Sequence, residues 1–411
     1  MFEMRALKYA VWALAAVLTL GHGTAMGDPG DLLQTFANPH LTGGDNFGVS
    51  VAGMGSNVLV GANSADIGAV SAGVAYLFDG STGTLLRTFN NPTPAAHDEF
   101  GASVAGVGNK VVVGAHCDNT GAIGAGAAYL FNSSTGALLH TLQKPTPTDY
   151  DYFGFSAAAV GSNFVVGALY ANEGATNAGA AYLFDGATGA LLRTFQSPTP
   201  ADNDRFGWCV AAVGGNVLVG APLDDTDGYN AGAAYLFDGS TGALLQTFHN
   251  PTAADDDEFG CAVAAVEDNV LIGAYQDDTA APNGGAAYLF DGVTGALLRT
   301  FLSPSPDNGD LFGQSVAGVG GDVAVGAPYD GGGTAFVFDG STGAMIAPLV
   351  NPTPEWGDKF GHSLAAVGSN VLVGAVCADN GGAAYLFVPE PATLLLLAAG
   401  GLLLRRRRRR A

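Results

Sequence analysis

A unit of about 50 residues recurs along almost the whole chain, and this repeat constrains the fold more than any other feature. Each unit opens with a Phe-Gly pair, and successive pairs are 53 residues apart except in the last step, where the spacing is 48. The pairs begin at Phe47, Phe100, Phe153, Phe206, Phe259, Phe312 and Phe360. A Gly-Ala pair follows each of them at constant distance, and an aromatic segment such as Tyr235-Leu236-Phe237 comes next. Repeats of this length are typical of propeller blades and are too long for solenoid rungs.

Each unit contains four apolar runs of strand length, as the copy from Phe206 to Phe248 illustrates. Turn residues separate the runs, and none of them is long enough for a stable helix. The sequence therefore predicts an all-β fold, a seven-bladed β-propeller of four-stranded antiparallel blades. No fourth run follows Phe387, but an extra copy from Leu32 to Phe36 precedes the first Phe-Gly pair. We expect this N-terminal strand to join the last blade and close the ring, which removes exposed sheet edges.

The predicted topology divides the connections between two faces. The loops joining strands one to two and three to four are short uniform turns, and we call their side the short-turn face. The loops joining strands two to three, and each blade to the next, differ between copies and define the variable face. This face carries roughly two thirds of the 37 acidic residues, opposed there only by Lys144, Arg205 and Lys359. The formal net charge of −22 argues against nucleic acid and anionic membranes as partners, and favours cations or a basic protein.

The repeated Phe-Gly pair, the V-x-V-G-A segment and the aromatic strand resemble the FG-GAP repeat of integrin alpha subunits and bacterial surface proteins. The Gly-Ala-Pro form of the motif is complete at Pro222 and Pro328, and the resemblance covers Asp31 to Phe387. It implies a seven-bladed propeller that serves as a binding platform, often for adhesion. The family often carries an acidic calcium loop between the first and second strands. In this chain that connection is a tight turn in every copy, so calcium is not expected there.

Both ends of the chain look like export signals. Residues 1–27 combine Arg5 and Lys8 with a short apolar run and small residues at cleavage spacing, which predicts a secretory signal peptide, with an uncleaved anchor as the alternative. Residues 28–388 form the predicted propeller. Residues 389–411 contain a Pro-Glu-Pro segment, an apolar run and six arginines, and resemble the PEP-CTERM sorting signal. That resemblance implies exosortase processing and transient membrane association; the alternative is an ordinary C-terminal membrane anchor.

The loop from Pro222 to Tyr229 contains the candidate metal ligands of the chain. Asp224, Asp225 and Asp227 precede Gly228 and resemble a fragment of a calcium loop, although the later carboxylate of a complete loop is missing. Calcium is therefore the one cofactor that the residues leave open. The chain contains no H-E-x-x-H and no G-x-S-x-G segment, so we predict no catalytic residue and no site for an organic cofactor.

Other polar residues have structural interpretations. An aspartate stands two residues before every Phe-Gly pair, which favours a turn or a blade-to-blade hydrogen bond over catalysis. The run from Asp255 to Glu258 is interpreted as a solvated charge run. Cys209 and Cys261 occupy neighbouring blades, one position out of register, and are expected to be free buried thiols. Cys117 and Cys377 occupy equivalent positions two blades apart, too far for a bridge.

These features favour an exported protein of the cell surface or extracellular matrix that binds without catalysis. Its partners would be an extracellular polysaccharide, cations or a basic surface protein, besides the exosortase machinery, and adhesion or biofilm association is the expected role. The alternative is an enzyme on a propeller scaffold, with a quinone-dependent dehydrogenase as the nearest candidate. The segment GAAYLFDGSTGALL resembles the repeat of those enzymes, but the tryptophan of that repeat is absent.

Overall fold

The computed structural model describes residues 28–40, 43–378 and 381–389. The predicted signal peptide and almost all of the predicted sorting tail lie outside these residues. Within them the regular structure consists of β-strands, and no helix is long and apolar enough to cross a membrane. The strands form seven four-stranded antiparallel sheets, each of which is one blade. The prediction of a seven-bladed propeller is therefore confirmed.

The first strands of neighbouring blades contact one another around the central axis. They are β2 (Phe47–Met54), β6 (Phe100–Val107), β10 (Phe153–Val160), β14 (Cys209–Val213), β18 (Phe259–Val266), β22 (Ser315–Val319) and β26 (Phe360–Val367). The second strands are largely buried, and they are β3 (Asn57–Ala62), β7 (Lys110–Ala115), β11 (Asn163–Ala168), β15 (Asn216–Ala221), β19 (Asn269–Ala274), β23 (Asp322–Ala327) and β27 (Asn370–Ala375).

The third strands carry the aromatic segments, and they are β4 (Val74–Asp79), β8 (Ala127–Asn132), β12 (Ala180–Phe184), β16 (Ala233–Phe237), β20 (Ala286–Phe290), β24 (Thr334–Asp339) and β28 (Ala383–Phe387). The fourth strands form the outer rim, where most of their side chains are exposed to solvent. They are β5 (Leu85–Asn90), β9 (Leu138–Leu142), β13 (Leu191–Phe195), β17 (Leu244–His249), β21 (Leu297–Leu302), β25 (Met345–Val350) and β1 (Leu32–Ala37). We number the blades from the one that begins with β2.

The N-terminal strand β1 completes the last blade. It pairs antiparallel with β28, and Phe36 lies opposite Ala384 in that ladder. The Phe36 ring is 1% exposed and packs against Phe78 of blade 1 at a centroid distance of 5.4 Å. The strand thus belongs to blade 7 by hydrogen bonding and also contributes to the apolar core between blades 7 and 1.

Glycine pairs bring neighbouring blades into direct backbone contact. A Cβ atom on Gly61, the glycine of a Gly-Ala pair, would lie 2.0 Å from the carbonyl oxygen of Gly101 in the next Phe-Gly pair. Ser50 Oγ donates a hydrogen bond of 2.8 Å to that same oxygen. The equivalent contact between blades 7 and 1 is the 2.7 Å bond from Ser363 Oγ to the carbonyl oxygen of Gly48. The repeated motif is therefore the joint between blades, because its glycines allow this approach.

A cysteine takes the place of the joint serine in blade 4. The Cys209 thiol lies 3.0 Å from the carbonyl oxygen of Gly260, as the serine hydroxyls do in other blades. Cys261 is buried within β18, the first strand of blade 5, whereas Cys209 is half-buried, and both cysteines are free thiols. The structure thus agrees with the expectation of free thiols.

The turn between the first and second strands has two residues in every blade, and its first residue has a positive φ. Six blades use glycine there, whereas blade 5 uses Glu267 at φ 55°. A left-handed non-glycine residue costs about 1–3 kcal/mol, and the extra entropy of glycine in the unfolded chain offsets about 0.5–1 kcal/mol of this. We expect Glu267→Gly to raise the free energy of unfolding by about 1 kcal/mol in denaturant titrations. Asp268→Gly, at the second turn position where φ is not positive, is the control and should bring no gain; equal effects would contradict the explanation.

Candidate binding site on the variable face

The chain makes the same tight turn at the inner end of every blade on the variable face. The residue before each Phe-Gly pair is left-handed, with φ between 51° and 57°, although none of these residues is glycine. Its carbonyl oxygen accepts a hydrogen bond from the amide three residues later, for example from Trp208 to Arg205 at 3.1 Å. The left-handed residues are Asn46, Glu99, Tyr152, Arg205, Glu258, Leu311 and Lys359. The residues that close the turns are Val49, Ala102, Phe155, Trp208, Cys261, Gln314 and His362, and we call both sets together the axial ring.

The aspartate two residues before each Phe-Gly pair holds the connection that leads into the axial ring. Asp98 is 1% exposed, and its Oδ2 accepts hydrogen bonds from the Ala95 amide at 2.7 Å and from Asn91 Nδ2 at 2.8 Å. Asp358 binds Glu355 and Asn351 in the same way. The structure thus agrees with the interpretation of these aspartates as turn residues.

In the connection to blade 3, a lysine replaces the usual small polar partner of the turn aspartate. Lys144 is buried, and its Nζ lies 3.0 Å from Asp151 Oδ1 and 3.5 Å from Glu173 Oε1. One of the three cations of the variable face is therefore already paired inside the scaffold, which leaves the acidic surface less neutralised than the sequence alone indicates.

Aromatic side chains cluster on one side of the axial ring, in blades 3 and 4. The rings of Phe155 and Trp208 lie 5.2 Å apart, and those of Tyr152 and Tyr170 are also 5.2 Å apart. The guanidinium group of Arg205 lies over Tyr170 at 5.2 Å and over Trp208 at 5.6 Å, within cation–π range. These five residues form what we call the aromatic sector. All five are half-buried, so the sector presents apolar ring faces together with a fixed positive charge.

A second cluster, in blade 2, contains a carboxylate, an imidazole and a thiol close together. Glu99 belongs to the axial ring, and His116 and Cys117 follow the Gly-Ala pair at the end of β7. One ligand atom from each of the three lies within 4.8 Å of the others, and no other such group was found in the described part of the chain. Burial lowers the pKa of His116 to about 4, so that its ring is neutral at neutral pH. Burial, with the neighbouring Glu99 and Asp98 carboxylates, raises the pKa of the Cys117 thiol to about 12.

The sequence-predicted metal candidates occupy the loop between β15 and β16, but they point to separate partners. Asp224 is 2% exposed and accepts hydrogen bonds from the Tyr235 hydroxyl and the Thr226 hydroxyl, each at 2.5 Å. Asp225 accepts the Asn230 amide at 2.7 Å. In two other blades Asp118 and Asp277 bind a third-strand tyrosine in the same way as Asp224.

The remaining candidate, Asp227, contacts a side chain outside the loop. Its Oδ2 lies 2.5 Å from His249 Nδ1 at the end of β17. None of the three aspartates belongs to the metal-compatible group found among the described residues. Each of the three carboxylates has its own hydrogen-bonding partners, and calcium binding there stays a prediction.

The interpretation of Asp255 to Glu258 as a solvated charge run needs correction for half of its residues. Asp257 is 2% exposed and is the turn aspartate of blade 5, and burial raises its pKa to about 6. Glu258 belongs to the axial ring, where its carboxylate accepts a 2.6 Å hydrogen bond from the Tyr275 hydroxyl. Only Asp255 and Asp256 are exposed to solvent. The run therefore spans a turn from the surface into the scaffold.

The short-turn face has a cleft of its own, between blades 5 and 6. Its volume is about 510 Å³, and Glu267, Leu298, Arg299 and Asp339 are among its lining residues. The Asp339 carboxylate stabilises the turn that follows it, because its Oδ1 accepts hydrogen bonds from Ser341 and Thr342. None of the buried unpartnered polar atoms detected in the described residues lines this cleft. We therefore place the candidate site on the variable face.

Sequence reasoning named a few residues of the axial ring, such as Arg205 and Cys261, but did not recognise the ring as one set. A register comparison of the seven units offers one signal, because the positions directly before and directly after Phe-Gly change their chemistry from copy to copy. The flanking scaffold segments remain nearly identical. That contrast identifies positions whose side chains are not required by the fold.

Comparison with known families agrees with the architecture. The FG-GAP repeat model matches residues 93–131, 146–184, 199–237, 247–290 and 348–387, which belong to five of the seven blades. The PEP-CTERM protein-sorting motif matches residues 387–410. No curated protein matches the chain. The sorting motif indicates export and exosortase-mediated sorting to the cell surface. The chain is therefore an FG-GAP repeat β-propeller protein that carries a C-terminal PEP-CTERM sorting motif.

Proposed function

We propose that this exported surface protein is a non-enzymatic binding platform that attaches to a neutral polysaccharide of the extracellular matrix through its axial ring. Its role would be adhesion or matrix association. The ring combines variable side chains with a scaffold that holds them in one repeated turn geometry. A rigid frame with exchangeable side chains suits recognition, because preorganised groups lose little entropy on binding.

Unsatisfied polar atoms at the axial ring are the observation that carries the proposal. His116 Nδ1, Arg205 Nε, Gln314 Oε1 and His362 Nδ1 are buried and have no hydrogen-bond partner among the described residues. Three of these side chains belong to the axial ring, and His116 contacts it through Tyr152 and Phe155. Buried polar atoms without partners are rare in folded proteins. Several such atoms at or beside the axial ring indicate a site where a ligand supplies the missing hydrogen bonds.

The aromatic sector indicates the class of ligand. The C–H face of a sugar ring is apolar and packs against aromatic rings, while its hydroxyl groups exchange hydrogen bonds with polar side chains. Trp208 and Tyr170 supply such rings, and Arg205 lies between them as a donor. The acidic surroundings favour a neutral polymer, because they would repel one with anionic groups.

We expect Trp208→Ala to weaken binding of the full chain to neutral matrix polysaccharide by about 10-fold or more, since buried aromatic anchors dominate such interfaces. Affinity electrophoresis of the purified protein in gels that contain the polysaccharide measures this effect. Trp208→Phe keeps a ring at this position and should retain most of the binding.

The matched control is Leu298→Ala on the outer strand β21, where the side chain is 37% exposed and far from the axial ring in the repeat. Binding should be unchanged in this variant. Equal losses in both variants, or unaltered binding in Trp208→Ala, would place the polysaccharide elsewhere. An absorption spectrum with a bound quinone chromophore would instead favour the dehydrogenase alternative.

A further inference from the structure

Blade 2 brings together donor atoms of three different kinds. We propose that Glu99, His116 and Cys117 bind one divalent transition-metal ion, and that Zn²⁺ is the ion that this donor set fits best. The proposal goes beyond the polysaccharide function and does not depend on it. It rests on the approach of a carboxylate oxygen, an imidazole nitrogen and a thiol sulfur to within 4.8 Å of one another.

The spacing of the donors suits a small tetrahedral ion. His116 Nε2 lies 3.4 Å from Glu99 Oε2. Two ligands that each lie about 2.0–2.1 Å from a tetrahedral Zn²⁺ are about 3.4 Å apart. A carboxylate and an imidazole at this separation need little movement to share one ion. The thiol sulfur lies within 4.8 Å of both atoms, and a Zn–S bond of about 2.3 Å would bring it closer to them.

The His116 ring is enclosed, and one of its nitrogens has no protein partner within the described ranges. Its side chain is about nine-tenths buried, and its Nδ1 has no hydrogen-bond partner among the described residues. A neutral imidazole offers one lone pair, which is the form that coordinates metals.

Neighbouring residues hold the donors in place. Asn63 Nδ2 donates a hydrogen bond of 3.2 Å to Glu99 Oε2 and so orients the carboxylate. Tyr152 and Phe155 pack edge-on against the His116 ring, each at a centroid distance of 5.3 Å. Outer contacts of this kind fix ligand rotamers and raise metal affinity.

The chemistry of the donors selects the ion. Calcium and magnesium take oxygen ligands, whereas thiolate and imidazole favour zinc and its neighbours in the transition series. Binding replaces the thiol proton, which passes to solvent, so the thiolate and the Glu99 carboxylate together balance the two charges of the ion. Three protein ligands leave the fourth tetrahedral position for water or for a ligand group.

Blade 7 provides an internal comparison. Cys377 occupies the position equivalent to Cys117, but Val376 stands in place of the histidine and Lys359 in place of Glu99. Cys377 is exposed and free. A cation and an aliphatic side chain cannot serve as ligands, so the same backbone position in blade 7 should not bind the ion.

The test is a Zn²⁺ titration of the full chain, purified in mild detergent and stripped of metal. We expect one equivalent to bind, and Cys117→Ser or His116→Ala to weaken this binding by about 100-fold or more, since even loss of outer-shell partners costs about 10–100-fold. Cys377→Ser is the matched control and should bind as the parent does. Co²⁺ in place of Zn²⁺ should give a thiolate-to-metal absorption band that disappears in Cys117→Ser.

A second measurement needs no variant and so holds if a substitution impairs folding. Zn²⁺ should protect Cys117 of the unmodified protein from an alkylating reagent and leave Cys377 reactive, as mass spectrometry of the peptides would report. Equal protection of both cysteines, protection of neither, or unaltered zinc binding in the His116 and Cys117 variants would overturn the proposal.

Discussion

Gly220→Ala should lower the free energy of unfolding by about 3 kcal/mol or more, although it adds only a single methyl group. The new Cβ would lie 2.0 Å from the carbonyl oxygen of Gly260 and 2.5 Å from Cys209 Sγ. Overpacking in a core usually costs about 1–3 kcal/mol, because side chains can move aside. In this joint the nearest atom is backbone of the next blade, which cannot move without separating the two sheets.

Denaturant titration followed by tryptophan fluorescence measures the effect, with Gly215→Ala as the control in the same blade. A Cβ on Gly215 would meet nothing within 4 Å, and its φ is not positive. That variant should differ from the parent by no more than about 0.5 kcal/mol, as is usual for surface substitutions. If both variants unfolded at the same denaturant concentration, the glycine joint would not be what holds neighbouring blades together.

Deletion of residues 31–37 should prevent formation of a stable monomeric ring. The deletion removes β1, leaves β28 as an unpaired edge and takes Phe36 out of the core between blades 7 and 1. Loss of a buried phenylalanine alone costs about 3–5 kcal/mol. An exposed edge strand also recruits other chains, so we expect soluble aggregates in place of the monomer.

Size-exclusion chromatography and limited proteolysis of the full chain with and without this segment test the prediction. Two substitutions within β1 leave the strand in place and test the contribution of its buried side chain alone. Phe36→Ala should lower the melting temperature strongly, whereas Leu33→Ala, at a side chain that is 47% exposed, should change it little. A deleted chain that remained monomeric and melted like the parent would show that six complete blades and one three-stranded blade suffice.

The blade architecture could be predicted because each contact in it recurs. Phe206 packs against Tyr235, and Phe259 against Tyr288, at nearly the same distances of 5.7 and 5.8 Å. A contact that seven copies must make leaves aromatic residues at matching positions in each copy, and a single sequence is enough to expose it. Closure by the Leu32 strand followed from the same count, since only one copy of the fourth run was displaced.

The axial ring could not be predicted in this way, because its contacts differ from blade to blade. Glu99 and His116 lie close together within blade 2. Tyr152, whose ring packs against His116, belongs to blade 3. The left-handed position before Phe-Gly cannot be recognised from its residue type, because leucine, lysine and tyrosine all occur there. The prediction that Asp257 and Glu258 are solvated was wrong for a related reason. A run of charged residues contains no pattern that indicates where the chain turns into the interior.

The closure by β1 also places both chain ends of the propeller on one face. The Gly30 amide binds the carbonyl oxygen of Val388 at 2.8 Å, so both ends of the propeller leave the same blade on the short-turn face. A surface that holds the chain by the residues beyond Val388 therefore holds it by that side. The aromatic sector and the three donors of blade 2 lie on the opposite side of the propeller, away from Gly30 and Val388.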